Sequence, residues 1–384
     1  MSASLTGEET LVQLVAPDGA DATSSPSSDP YRERAAHIVG PDADPEILRG
    51  MYRDMVLVRR FDQEGTSLQR QGELGLFPQL LGQEAAQIGS GRALRPADFV
   101  FPSYREHGVA WTRGMDLTDL LKIFRGIDHG GWDPAEHNFH VYTLVIGSHT
   151  LHATGYAMGV QRDGLVGTGD PDKDMAVVAY FGDGATSQGD VSEALGFAAV
   201  NNAPLVLFCQ NNQWAISLPV EKQSRAPLYQ RGWGFGVPSV QVDGNDVVAC
   251  WAVMDEALER ARSGGGPTFV EAVTYRMGAH TTSDDPTRYR TSAEEASWAE
   301  RDPIARVHAR LVAAGWWTDE DDAALDAEAD ALGVHVREVT RAFAAPAPES
   351  MFDEVYGSPN GQVEAERTWF AQYEAALAAG EGEA

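Results

Sequence analysis

The sequence predicts an α/β fold: a mainly parallel sheet flanked by helices, with a helical extension at the C-terminal end. Three observations carry this. First, Met175–Phe181, Pro204–Cys209 and Pro267–Tyr275 are continuous apolar runs, as expected of strands covered on both faces. Second, Val191, Ala194, Leu195 and Ala198 recur at helical spacing between the first two runs, which makes a strand–helix–strand unit with short turns. Third, 384 residues with 43% apolar and 22% charged content can bury one large core or two smaller ones.

The elements follow in order. Residues 1–44 include "PDGADATSSPSSDPY", rich in Ser, Pro, Asp and Gly, and read as largely disordered; within them "LVQLV" (Leu11–Val15) is a candidate strand or docking contact. From Pro45 a helix begins, with Ile47, Met51, Met55, Val58, Phe61 and Leu68 on one face. "GQEAAQIGSGRAL" (Gly82–Leu94) is a second helix, whose small residues permit close packing. The helix after the first apolar run has Ser187 or Asp190 as its cap. "TSAEEASWAERDPIARVHARLVAAG" opens on a capping box, Ser292 to Glu295, and continues as helix. Three units result: the N-terminal segment 1–44, an α/β domain over 45–311, and an acidic helical region over 312–384.

Composition narrows the function classes. A formal net charge of −28 argues against nucleic acid and anionic membrane as partners, since both repel it. Much of that charge sits in "TDEDDAALDAEADA" (Thr318–Ala331), read as a solvated helix face. Cys209 and Cys250 are far apart, so neither a disulfide framework nor a structural zinc site is supported. No apolar run approaches the length of a bilayer span, and no basic residue precedes Arg32, which points to a cytoplasmic protein.

In a parallel α/β sheet, ligands bind beyond the carboxyl ends of the strands. Gly182-Asp183-Gly184 follows the first apolar run and Asn211-Asn212 follows the second. The glycines let the backbone turn tightly against a ligand. A carboxylate, a carboxamide and a nearby main-chain carbonyl are hard oxygen donors. Too few to cage calcium, they suit Mg²⁺, which completes its octahedral shell with water and phosphate oxygens. Either fragment alone is more simply a turn or a strand terminator; the two together, with a βαβ unit between them, predict a phosphate-bearing cofactor.

Gly182-Asp183-Gly184 followed at this distance by Asn211-Asn212 resembles the thiamine-diphosphate motif. The continuation "QNNQWAIS" (Gln210–Ser217) is similar to alpha subunits of the 2-oxo acid dehydrogenases, the decarboxylating components of large multienzyme complexes. "GQEAAQIG", "FPSYREHG" (Phe101–Gly108), "VEKQ" (Val220–Gln223), "QVDGND" (Gln241–Asp246) and "YRMGAHTTSDDPTRYR" (Tyr275–Arg290) extend the likeness from about Pro45 to about Leu311. The resemblance implies the thiamine-diphosphate-binding fold. It implies that Asp183, the Asn212 side chain and the Trp214 carbonyl ligate Mg²⁺. It implies that Gly182, Gly184, Ala185, Ala215 and Ile216 border the cofactor, with Gly184 and Ala185 offering backbone donors to the diphosphate. Tyr104 and Arg105 match the pair that holds its terminal oxygens, a task suited to the guanidinium fork.

Gln210 departs from relatives that place Arg there to touch phosphate; it supplies a weaker, neutral donor. "VIGSHTLHATG" (Val145–Gly155) aligns with the segment cradling the aminopyrimidine ring, which puts Ser148 and Thr150 beside it. His149 and His152 lack the carboxylate or cysteine company of a metal pair and take packing roles or support the residues that touch the cofactor. His280 matches a histidine at the thiazolium end of the cofactor, where a group titrating near neutrality can donate a proton, and Arg276 braces its loop. Thr281, Thr282 and Ser283 are assigned to loop hydrogen bonding.

The implied reaction is oxidative decarboxylation of a 2-oxo acid with acyl transfer to a lipoyl group. The cofactor carries the chemistry, and the protein supplies binding, orientation and electrostatics. In this family the glutamate that activates the aminopyrimidine belongs to a beta subunit, so the chain is half of an active site in an α₂β₂ heterotetramer. Glu84 is read as part of the packing between subunits. The partners implied are the beta subunit and a lipoyl-bearing acyltransferase. The motifs look most like branched-chain (2-oxoisovalerate) dehydrogenase alpha subunits; pyruvate dehydrogenase alpha subunits share nearly all of them. A noncatalytic scaffold binding magnesium diphosphate is the reading from a different class.

Overall fold

The computed structural model describes residues 11–381. Six strands form one sheet: β1 (Leu11–Val12), β2 (Phe99–Phe101), β3 (Val177–Gly182), β4 (Leu205–Asn211), β5 (Ser239–Asp243) and β6 (Thr268–Val273). Their order is β1-β5-β6-β4-β3-β2, and every neighbouring pair is parallel. The expected α/β class with a mainly parallel sheet holds. β3, β4 and β6 are buried nearly throughout, which is why their sequences are continuous apolar runs instead of alternating ones. The β3–β4 register sets Gly182 opposite Gln210, so residues 183 and 211–212 emerge side by side beyond the strands.

The Pro45–Arg70 helix starts at Asp44, whose carboxylate accepts from the Glu46 amide at 3.1 Å. It buries Leu48, Met51, Met55, Val58, Phe61 and Leu68, while Ile47 is only half-buried. The Glu84–Arg92 helix is almost wholly buried against Val247–Arg262. Gly89 makes this possible, because a Cβ there would lie 2.5 Å from the Val247 carbonyl oxygen.

Several local expectations need correction. The helix Gly189–Asn201 follows a 3₁₀ turn, Asp183–Ser187, so its first flanking residue is Gln188 and neither Ser187 nor Asp190 caps it. The later capping residue is Thr291, not Ser292: its hydroxyl accepts from the Glu294 amide, while Glu295 turns to Arg290 at 3.0 Å. The helix does not run on through Asp302-Pro303; Asp302 caps a new one, Pro303–Ala313.

Disorder before residue 45 does not hold for the described residues 11–44. β1 pairs with β5, and the Leu14 and Val15 amides each donate 2.7 Å to Asp246 Oδ2, the carboxylate that also caps Val247–Arg262. The candidate strand or docking contact in Leu11–Val15 is present, with partners more than two hundred residues away, whereas a polar composition hid the helices Asp29–Arg34 and Ala36–Val39. Residues 1–10 lie outside the described range.

The chain divides at Arg341/Ala342, not at residue 312. The acidic helix Asp319–Ala342 buries Leu325, Ala329 and Val336 and pairs with arginines of the Pro45–Arg70 helix, Arg49–Asp321 at 2.8 Å among them. Its charge is partly solvated and partly paired. The second unit contains a 3₁₀ turn, Pro348–Phe352, and the helix Gly361–Glu381. Among the described residues no helix is long and apolar enough to cross a membrane. Cys209 and Cys250 are buried free thiols.

Candidate active site

A cavity of about 260 Å³ opens beyond the carboxyl ends of β3 and β4. Of the thirteen residues expected at the cofactor, eleven border it: Tyr104 and Arg105 from the loop after β2, Gly182 to Ala185 from the β3 end, Asn212, Trp214, Ala215 and Ile216 from the β4 end, and His280. Ser148 and Thr150 do not. Their hydroxyls donate to the Val145 and Gly147 carbonyls (3.0 and 2.7 Å), closing the turn that enters the helix Ser148–Arg162. Ile146, Gly147 and His149 of the same turn border the cavity instead. His152 is exposed, whereas His149 is buried and bonds through Nε2 to the Tyr180 carbonyl oxygen at 2.7 Å, so the two form no pair.

Asp183 is buried, and its Oδ2 accepts 2.8 Å from the Gln223 amide, a neutral group. Burial raises its pKa from 3.8 to about 6. A buried carboxylate held only by neutral donors suits a cation. Gly184 follows because a Cβ there would stand 2.8 Å from that of Ala215. The two asparagines at the β4 end do separate work. Asn211 donates 2.6 Å to the buried Glu271, anchoring the turn to β6, while Asn212 borders the cavity and donates 3.1 Å to Gln83. Gln213 (φ 73°) and Ile216 (φ 56°) both take left-handed backbone. This bracketed strain bends Trp214–Ala215 back against Leu218–Pro219.

Arg105 is buried and stands beside the face of Tyr104. Its guanidinium donates to the Gln79 carbonyl and, at 2.8 Å, to that of His280. Gln210 is engaged differently from the expectation: its amide donates 2.7 Å to Glu106 and its Oε1 accepts 2.9 Å from Gln87, which also donates to the Arg105 carbonyl. It is a strut under the Tyr104–Arg105 loop as much as a lining donor. Burial raises the pKa of Glu106, which also borders the cavity.

His280 does not titrate near neutrality. Burial first, then Arg105 and Arg276, lower its pKa to about 3. Its Nδ1 lies 3.4 Å from Arg105 Nη2 and 3.3 Å from Arg276 Nη1, both obligate donors. Nδ1 therefore accepts, and the proton of the neutral ring sits on Nε2. Arg276 donates further to the carbonyls of Trp214 (3.2 Å) and Ile216 (2.7 Å) and to Tyr289 Oη (3.0 Å). Tyr289 in turn donates to Asp284, which accepts from the His280 amide at 2.9 Å. In the same loop Thr282 exchanges bonds with Phe77, its hydroxyl accepting and its amide donating at 3.0 Å. Glu84 faces inward within this chain, accepting from Arg59 at 2.8 Å and from the Gly82 amide at 3.0 Å.

The sequence reading missed Gln83, Glu106, Ile146 and Gln223. All four stood inside quoted motifs, so position within "GQEAAQIG", "FPSYREHG", "VIGSHTLHATG" and "VEKQ" was the available signal.

Fold and cavity define the class: an α/β protein whose ligand site lies beyond the carboxyl ends of a parallel sheet. Residues 52–349 match the dehydrogenase E1 component family, and the chain belongs to that family. It is 46% identical, over 92% of its length and 90% of the relative's, to the 3-methyl-2-oxobutanoate dehydrogenase subunit alpha of Mycobacterium tuberculosis. It is 42% identical to the pyruvate dehydrogenase E1 component subunit alpha of Acholeplasma laidlawii, over 75% of this chain and 82% of that one. For the corresponding Bacillus subtilis subunit the figures are 40%, 74% and 75%. The family is one of thiamine-diphosphate-dependent 2-oxo acid dehydrogenases, and the chain is an oxidoreductase component.

Proposed function

We propose that the chain is the alpha subunit of the decarboxylating component of a branched-chain 2-oxo acid dehydrogenase, acting on 3-methyl-2-oxobutanoate and passing the acyl unit to lipoyl groups. The observation that carries this is the 46% identity spanning 92% of the chain. The pyruvate reading rests on relatives at 42% and 40% that cover about three quarters of it. The proposal includes a beta subunit, an α₂β₂ assembly, a lipoyl-bearing acyltransferase and a cytoplasmic location.

The cavity fits magnesium thiamine diphosphate. It holds a buried carboxylate without a contacting cation, a buried guanidinium, and a glycine where a Cβ would collide. Asp183, Asn212 Oδ1 and the Trp214 carbonyl would hold Mg²⁺. The Trp214 oxygen accepts from Arg276 and keeps a second lone pair. Arg105 and Tyr104 would take terminal phosphate oxygens, and the Gly184 and Ala185 amides would take others. Ile146 and Gly147, which border the cavity, are better placed for the ring contact than Ser148 and Thr150.

Thiamine diphosphate supplies the electron sink when bound. His280 supplies a neutral Nε2–H donor near the reacting end, aimed by Arg276 and Asp284. Asp183 and Glu106, the carboxylates bordering the cavity, are both engaged by donors of this chain, which supports a beta-subunit source for the activating glutamate. The test is turnover by the purified αβ assembly. The reading expects kcat/KM for 3-methyl-2-oxobutanoate to exceed that for pyruvate at least tenfold; the reverse order returns the chain to the pyruvate class.

A further inference from the structure

The short helix Val220–Gln223 ends beside the cation corner. Gln223 Nε2 donates 2.8 Å to Asp183 Oδ2 and 3.2 Å to the Leu218 carbonyl. Both amide protons are thereby used. Turning the amide over would set its oxygen against a carboxylate and a carbonyl, so its orientation is settled by chemistry. Gln223 Oε1 is then left buried and without a hydrogen-bond partner in the structure. A buried amide oxygen left unpaired is costly, and sites that keep one usually take a donor from a ligand or water.

We propose that Gln223 is a positioning residue for the divalent cation at Asp183: Nε2 fixes one carboxylate oxygen, and Oε1 accepts a hydrogen bond from a water on that cation. The proposal rests on the reading of Asp183 and Asn212 as cation ligands. A water on Mg²⁺ or Mn²⁺ is polarised and donates strongly, so it complements a neutral acceptor one residue removed from the metal. Neutrality matters as well. A carboxylate at 223 would repel Asp183, whereas an aliphatic side chain would leave Asp183 free to rotate away from the cation. The residue therefore acts through Asp183 and through bound water, not on the substrate.

The test uses the αβ assembly with thiamine diphosphate and reads free Mn²⁺ by electron paramagnetic resonance. Gln223→Met keeps the length and removes both polar atoms. Gln223→Asn keeps the amide and withdraws it by one methylene. Each is expected to raise the Mn²⁺ concentration for half-saturation by roughly 10–100-fold, the range for loss of a partner behind a metal ligand. Affinity for inorganic diphosphate without metal serves as the second readout; a general loosening of the site would weaken it in parallel, whereas this proposal confines the loss to the metal. Thermal melting without cofactor identifies which variant folds as the parent does. Half-saturation within twofold of the parent in a folded variant overturns the proposal, as does an equal loss in both readouts. Asp183→Asn is run alongside: if it leaves Mn²⁺ binding intact, the cation site itself is misplaced, a result distinct from failure at Gln223.

Discussion

Arg105 and His280 are joined twice: the guanidinium donates 2.8 Å to the His280 carbonyl and stands 3.4 Å from its Nδ1. The side chain proposed to draw in the diphosphate thus also shapes the loop bearing the proposed hydrogen-bond donor. An anion taken up by Arg105 would thereby be coupled to the placement of His280 through one residue.

Replacing His280 with Ala is expected to lower turnover by roughly 10²–10³-fold, the span for loss of one positioned hydrogen-bond donor, with thiamine diphosphate affinity nearly unchanged. Because the ring is neutral down to a pKa of about 3, the acid limb of the pH–rate profile above pH 5 should belong to other groups and persist in His280→Asn. Comparing decarboxylation by an artificial oxidant with reductive acylation of a lipoyl domain locates the affected step. Normal rates in both assays would make His280 structural.

Arg105→Lys removes the fork while keeping the charge. Lysine cannot reproduce the bonds to both Gln79 and His280 along with an anion contact. The variant should bind thiamine diphosphate at least about tenfold more weakly by calorimetry, the equivalent of one lost charged hydrogen bond at ~1.5 kcal/mol or more. Proteolysis near Thr281 should be faster than in the parent. Equal affinity and equal cleavage would dissociate Arg105 from both roles.

His107 makes the protein acid-sensitive. It is fully buried between the Tyr142 hydroxyl and the Pro78 carbonyl, and burial lowers its pKa from 6.5 to about 3. The folded state binds this proton less readily than the unfolded chain, so stability is full above pH 6.5 and falls as pH drops toward 3. One such group costs about 2 kcal/mol between pH 7.5 and pH 5. Urea midpoints at the two values should differ accordingly, with a smaller difference in His107→Gln; an unchanged difference would mean that His107 does not carry the effect.

Legibility in the sequence followed range. Asp183 and Asn212 could be placed because each directly ends an apolar run, and strand tips are where a parallel sheet binds. Ser148 and Thr150 were expected at the ring, but their hydroxyls go to local carbonyls within one helical turn, a pairing that no pattern reveals. β2 is three residues long before Pro102, too short to show periodicity; β1 lies within the candidate strand Leu11–Val15, but nothing in that stretch names Gln241 and Val242 as its partners. The division at Arg341 was hidden because the acidic helix before it is held by ion pairs to Arg49 and Arg53, residues far away in the chain.

Asp183, at the end of β3, is proposed to anchor the cation through which diphosphate is held. Calorimetric titration of the αβ assembly with thiamine diphosphate, with and without Mg²⁺, in the parent and in Asp183→Ala tests it most directly. The account predicts tight, Mg²⁺-dependent binding in the parent and loss of the Mg²⁺-dependent part in the variant, whose fold persists by circular dichroism. Unchanged Mg²⁺-dependent affinity in Asp183→Ala would contradict it.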